Sequence, residues 1–287
     1  MLGGGAFVFF ILCLIALAVY FSDESSPSLS LSGNQIAALE LEGVISDSKD
    51  FVDQLKDYGG RSRAVVIRIN SPGGGVAASQ EIYEAIKKFR SETKKKVVVS
   101  MGSVAASGGY YVACAADKIY ANSGTVTGSI GVIAEWYNYG DLLQWAKVQS
   151  IVIKSGAFKD AGSATRPLTE EEKAYFQNLI GNMYSQFVSA VAGSRKMNEE
   201  KVRQLADGRV YTGQQAKSDG LVDEIGTYQD AIAEAGRLAG ISGTPKVMSP
   251  AKKTFSIIEL LLGDSRSALS MSSDRSESHI RFEYLWK

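Results

Sequence analysis

An α/β fold with much parallel strand pairing is the expectation for this 287-residue chain. Three observations carry it. From about residue 35, short β-branched runs alternate with stretches of helical period. Two of those runs give way to small, glycine-rich breakers, Asn70-Ser71-Pro72-Gly73-Gly74-Gly75 and Ser107-Gly108-Gly109. The composition is 45% hydrophobic and 22% charged, which is ordinary for a globular protein with a sizeable core.

Residues 1–22 contain no charged side chain, and 6–21 are almost continuously apolar. Twenty helical residues span about 30 Å, the thickness of a bilayer core, so 1–22 reads as an uncleaved transmembrane helix. A cleaved signal peptide is the alternative: Ala16-Leu17-Ala18 fits a cleavage site, but the basic leader region is missing. Ile11 and Leu12 before Cys13 argue against a lipoprotein anchor. No Lys or Arg precedes Lys49, so charge does not fix the orientation. Residues 23–34 are Ser-rich and read as a flexible linker.

The body then runs over 35–245. Residues 36–45 and 64–69 have strand character, with an amphipathic helix over 49–58 between them. Residues 76–90 resume helical spacing, with Ile82, Ala85, Ile86 and Phe89 on one face. A strand over 97–100 precedes a helix over 107–116, and further strands are expected at 118–121, 130–133 and 150–153. A long helix over 170–193 follows Thr169, an N-cap with Glu172 three residues on. Residues 246–287 form a Ser-rich tail with an aromatic end, read as an oligomerisation arm that docks on a neighbouring copy.

Composition excludes several classes. The 31 basic and 31 acidic side chains balance, no nucleic-acid motif occurs, and Lys94-Lys95-Lys96 reads as a solvated helix end. Cys13 and Cys114 suggest no disulfide. The one histidine, His279, is close to the C-terminus, and no His-Glu-x-x-His pattern exists, so no metal or cofactor is expected.

The chemistry gathers around Ser107, a hydroxyl among tiny residues where a strand yields to a helix. Gly108 offers a backbone N–H beside it, at a helix start that suits a developing oxyanion. The Gly73-Gly74 loop follows a neighbouring strand and offers a second donor. Without a well-placed histidine the natural base is lysine, as in Ser-Lys variants of the catalytic triad. Lys159 and Lys154 both qualify, and Ser129 is a candidate to orient the amine.

Taken together, residues 69–75, 100–111, 127–132, 154–160, 209–216 and 220–223 resemble the signal peptide peptidase A family. Members are membrane-anchored serine proteases with a Clp protease/crotonase-like ββα superhelix, and this chain is similar to the short, single-repeat form. The resemblance covers roughly 35–240. It implies Ser107 as nucleophile, Lys159 rather than Lys154 as general base, Ser129 as the group orienting the lysine, and Gly108 with Gly74 or Gly73 as oxyanion donors. It also implies a homo-oligomeric ring whose sites take serine and lysine from adjacent copies. Signal peptides and unfolded apolar polypeptides would be its substrates, cleaved beside the cell membrane on the extracytoplasmic face. The alternatives are a crotonase-like acyl-CoA enzyme and a catalytically silent membrane scaffold.

Overall fold

The computed structural model describes residues 34–251 and 281–286. The expected anchor over 1–22, nearly all of the linker, and His279 lie outside the described residues. Among those described, no helix is long and apolar enough to cross a membrane.

The chain opens with β1 (Gln35–Glu42), then α1 (Lys49–Gln54), which a π-helical turn extends to Gly59. After β2 (Ala64–Ser71) and the short β3 (Gly73–Gly75) comes α2 (Val76–Thr93). β4 (Lys96–Ala106) leads into α3 (Gly108–Ala113) and β5 (Lys118–Ala121). Next are β6 (Val126–Gly128), β7 (Ile133–Glu135) and α4 (Gly140–Trp145). The long α5 (Glu170–Arg195) and α6 (Glu199–Leu205) follow, then β8 (Val210–Thr212) and α7 (Gly213–Ser218). β9 (Glu224–Ile225), α8 (Tyr228–Leu238), β10 (Lys246–Met248) and β11 (Arg281–Leu285) complete the order.

β1, β2 and β4 are the centre of an eight-stranded sheet in the order β10-β1-β2-β4-β5-β9, parallel throughout this path. Their β-branched runs are buried on both faces, as strands of a covered parallel sheet must be. Val65, Ile67 and Ile69 point into a large cluster with Ile82 and Ile86 of α2, Tyr111 of α3 and Phe187 of α5. Ala64 and Val66 point the other way, against Ala231, Ile232 and Ala235 of α8.

β4 serves two neighbours in succession. Val98–Ser100 pair with β5, and Val104–Ala106 pair with β6, which also pairs antiparallel with β8. The side chains of Thr125 and Thr127 donate to the carbonyls of Gly102 and Ala105, at 2.8 and 2.6 Å, and pin β6 to the second half of β4.

Two expectations need correcting. The 130–133 run is not a strand: Ile130 is buried, and the strand begins at Ile133. Residues 150–153 form no strand and are exposed. Their β-branched side chains have strand propensity, but among the described residues no strand pairs with them. The described parts of the 246–287 tail pair within the same chain. β10 pairs with β1 at the sheet edge, and β11 lies antiparallel between β3 and β7 of the same chain.

Candidate active site

Ser107 is the single residue between β4 and α3, and its backbone angles are φ 50° and ψ −115°. Such a conformation costs an L-residue roughly 1–3 kcal/mol and persists only where the surroundings enforce it. Here its N–H donates to the Gly128 carbonyl at 2.8 Å, and its carbonyl accepts from Tyr111 N–H at 2.8 Å. Its surroundings keep Ser107 buried.

Ser129 is set by the same device. It follows β6, has φ 50°, and donates its N–H to the Arg209 carbonyl at 2.8 Å. Because the register opposes Ala106 to Gly128, the next residues on the two strands are Ser107 and Ser129. Both line one cavity of about 520 Å³, together with Ile130, Ile180, Tyr184 and Trp286.

The glycines converge on the other side of Ser107. Gly73 has φ +102°, and a Cβ built on it would stand 2.7 Å from the Gly108 nitrogen. A Cβ on Gly108 would meet Ser79 Oγ at 2.5 Å and the Gly73 Cα at 3.2 Å. Glycine is required at both positions, since any side chain would fill this space. Gly73 N–H donates to Ser71 Oγ at 3.1 Å, whereas Gly74 stands opposite Tyr284 in the β3–β11 register.

Into this junction β11 sends a backbone carbonyl. The Tyr284 oxygen would be 1.9 Å from a Cβ at Gly73 and 3.1 Å from one at Gly108. Trp286 N–H extends the pairing by donating to the Pro72 carbonyl at 2.9 Å. The Tyr284 ring is fully buried, stacked on Tyr111 at 5.2 Å and tilted against Phe187 at 4.7 Å. Its hydroxyl donates to the Met183 carbonyl at 3.0 Å. Sequence reasoning missed this aromatic pocket; the one available signal was the aromatic cluster at the end of the chain.

Among the described residues, none that lines the cavity is a free base. Of the residues lining the cavity, the one carboxylate is Asp207, tied to Arg209 at 2.5 Å, and neither lysine nor histidine is present. Lys159 is exposed, does not line the cavity, and makes no side-chain hydrogen bond or ion pair among the described residues. Lys154 is engaged, with its amine on Asp160 at 2.5 Å and on the Ala157 carbonyl at 3.0 Å. The structure thus brings Ser107, Ser129, Gly108 and the Gly73-Gly74 loop together and leaves Lys159 apart. Cys114 is no rival nucleophile: burial pushes its thiol up to about 11, so it stays protonated at neutral pH.

The chain is similar to several known proteins. The Clp protease family model matches residues 47–125. A Synechocystis sp. protein provisionally named as a protease is 45% identical over 75% of this chain and 78% of its own length. A protein of Enterococcus faecium provisionally named signal peptide peptidase SppA is 38% identical, over 70% of this chain and 62% of its own. The chloroplastic serine protease SPPA of Arabidopsis thaliana is 36% identical over 85% of this chain, which spans only 35% of that longer protein. Among solved structures, a point mutant of ClpP1 from Listeria monocytogenes aligns with a TM-score of 0.45 and 21% identity, over 68% of this chain and 93% of that one. The peptidase family S49 model matches residues 89–242, a stretch that includes Ser107 and more than half of the sequence, and the chain belongs to that family.

Proposed function

We propose that the chain is a membrane-tethered serine endopeptidase in which Ser107 of one copy is served by Lys159 of another. One observation carries this reading: Ser107 is set in a strained, glycine-lined site whose described lining holds no free base, while Lys159 is exposed and unpaired in the segment 145–159, which also exposes apolar side chains. There Trp145, Ile151 and Ile153 are 82%, 84% and 97% exposed. An apolar surface of this kind is expected to be covered by another copy of the chain.

In this mechanism Ser107 Oγ attacks the scissile carbonyl as the neutral lysine takes its proton. Gly108 N–H and the N–H of Gly74, or of Gly73, receive the developing oxyanion. The lysine then protonates the leaving amine, and water attacks the acyl-enzyme by the same route. Insertion into an apolar cavity disfavours the charged form of an amine, and the Ser129 hydroxyl orients it. Gly74 is the better donor, because Gly73 N–H is already bonded to Ser71.

β11 supplies the template for substrate. An extended peptide would pair with β3 and β7, place one carbonyl at Gly73 and Gly108, and bury a large apolar side chain against Tyr111 and Phe187. Cleaved signal peptides and unfolded apolar polypeptides fit this description. Residues 1–22 would hold the enzyme at the cell membrane, with the catalytic body extracytoplasmic.

Hydrolysis of casein by the full chain, compared with Ser107→Ala, Lys159→Ala and Lys154→Ala at matched oligomeric state, tests the reading. Activity is expected to vanish in the first two and persist in the third. Persistence in Lys159→Ala would refute the assignment of the base, and an inactive, correctly assembled wild type would favour a silent scaffold.

A further inference from the structure

At the end of the sheet away from Ser107, the parallel strands all begin; three of the six start on a lysine (Lys96, Lys118 and Lys246), and the one carboxylate among the starting residues, Glu224, is paired with Lys217. Lys246 stands beside Gln35, and Ala64, just after Arg63, stands beside Lys96. At about 4.8 Å between strands, Lys246 and Lys96 are about 14 Å apart along this edge. Beyond Lys96 opens a hollow of about 440 Å³ lined by Lys87, Arg90, Lys94, Lys95 and Lys96, with Asp117 as its one carboxylate.

The nearby carboxylates are already engaged. Asp57 is paired with Arg61, Glu84 with Lys87, Glu92 with Lys88, and Asp117 with both Arg90 and Lys96. Among the described residues Lys94 and Lys246 have no carboxylate partner, and the Lys95 amine donates to the carbonyls of Gly59 and Gly60. A chain of zero net charge therefore concentrates unneutralised cations at one end.

The covalent path gives this end its partner. Residues 1–33 join the described domain at Asn34, directly before β1, and therefore at this same end. The apolar segment 6–21 is separated from Asn34 by little more than the Ser-rich stretch. A Ser-rich linker sequence of about eleven residues has an expected root-mean-square reach of about 18 Å. We infer that the basic end formed by the starts of β1, β2, β4 and β10 docks on the anionic lipid headgroups of the membrane that residues 1–22 enter. A row of lysines held at a bilayer surface is attracted by anionic lipid, and the attraction falls away with salt.

The consequence is an orientation. β4 runs from Lys96 at the basic end to Ala106 at the catalytic end, and eleven residues of strand span about 35 Å. Ser107 then faces away from the bilayer, so peptides reach it after leaving the membrane. This consequence rests on the peptidase reading, but the docking itself does not.

The test uses the full chain with Cys13→Ser, reconstituted in vesicles carrying headgroup-linked energy acceptors. One dye is placed at Gly60→Cys on the basic end and another at Gly124→Cys beyond β5, two exposed positions where a new Cβ meets no atom within 4 Å. In phosphatidylcholine vesicles containing phosphatidylglycerol, the Gly60 dye should transfer more efficiently than the Gly124 dye. Its advantage should shrink in pure phosphatidylcholine, in about 0.5 M salt, and in the Lys94→Glu/Lys246→Glu variant, by about five-fold in docked population per lysine lost. The Lys94→Arg/Lys246→Arg variant should keep it. Transfer that ignores lipid charge, a Gly124 dye as near as the Gly60 dye, or a chain that does not float with the vesicles would each overturn the inference. Casein cleavage on the same vesicles reports the peptidase reading separately.

Discussion

Replacing Tyr284 with Ala should turn a self-occupied groove into an open one. The ring is fully buried, contacts Tyr111 and Phe187, and closes a hydrogen bond to Met183. Truncating a buried aromatic ring to Ala typically costs roughly 3–5 kcal/mol. β11 is joined to the body by three-residue ladders on either side. The loss should therefore fall on docking of this strand, shifting its equilibrium by about 10²-fold to several thousand-fold toward release. If β11 lies where substrate binds, KM for an apolar peptide should fall at least about ten-fold while kcat holds. A synthetic peptide of residues 280–287 should restore the inhibition in trans. An unchanged or raised KM, with activity lost alongside a fall in Tm, would refute the reasoning and make Tyr284 a core residue only.

Other substitutions probe the rest of the site. Gly73→Ala forces a Cβ onto the Gly108 nitrogen from a φ of +102°, and should lower kcat at least about 10²-fold, as loss of an oxyanion donor does; steady-state kinetics on a folded variant checks this. Ser129→Ala should reduce kcat with KM nearly constant, since the hydroxyl is assigned to orient the base and not to hold substrate. Glu172 gives a pH prediction. The Arg166 guanidinium beside it holds its carboxyl down at about 2, helped by the Thr169 N–H and against the opposing effect of burial. A lowered native pKa contributes stability above the unfolded value near 4.5 that is lost as pH falls toward 2. Thermal melts should therefore decline between about pH 4.5 and 2, and Glu172→Gln should start lower at neutral pH and flatten that decline.

Much of the fold was legible because its signals are local. The β-branched 64–69 run is β2, and Thr169 with Glu172 forms a complete capping box at the start of α5. Ser107 stood out as a hydroxyl among tiny residues where a strand yields to a helix, whereas its positive φ is seen only in the structure. Other features depend on long-range register, which no local pattern encodes. Nothing in Gly73-Gly74-Gly75 tells that residues 281–285 will pair with it, because glycine carries no alternation to read. Residues 150–153 carry strand propensity that no pairing among the described residues uses, since an exposed apolar segment and a buried strand look alike in sequence. Lys159 was found by motif likeness, while its separation from Ser107 became visible only in three dimensions.

The central claim, a site shared between copies, is tested most directly by mixing two dead proteins. Ser107→Ala retains the lysine, and Lys159→Ala retains the serine. Co-assembled from denaturant or by co-expression in equal amounts, random neighbours pair an intact serine with an intact lysine at one site in four. The account therefore predicts recovery of about a quarter of wild-type activity, set by the cyclic contacts of a closed assembly. Mixed assemblies that form and stay inactive would contradict it, and would return the base to the chain that carries the serine.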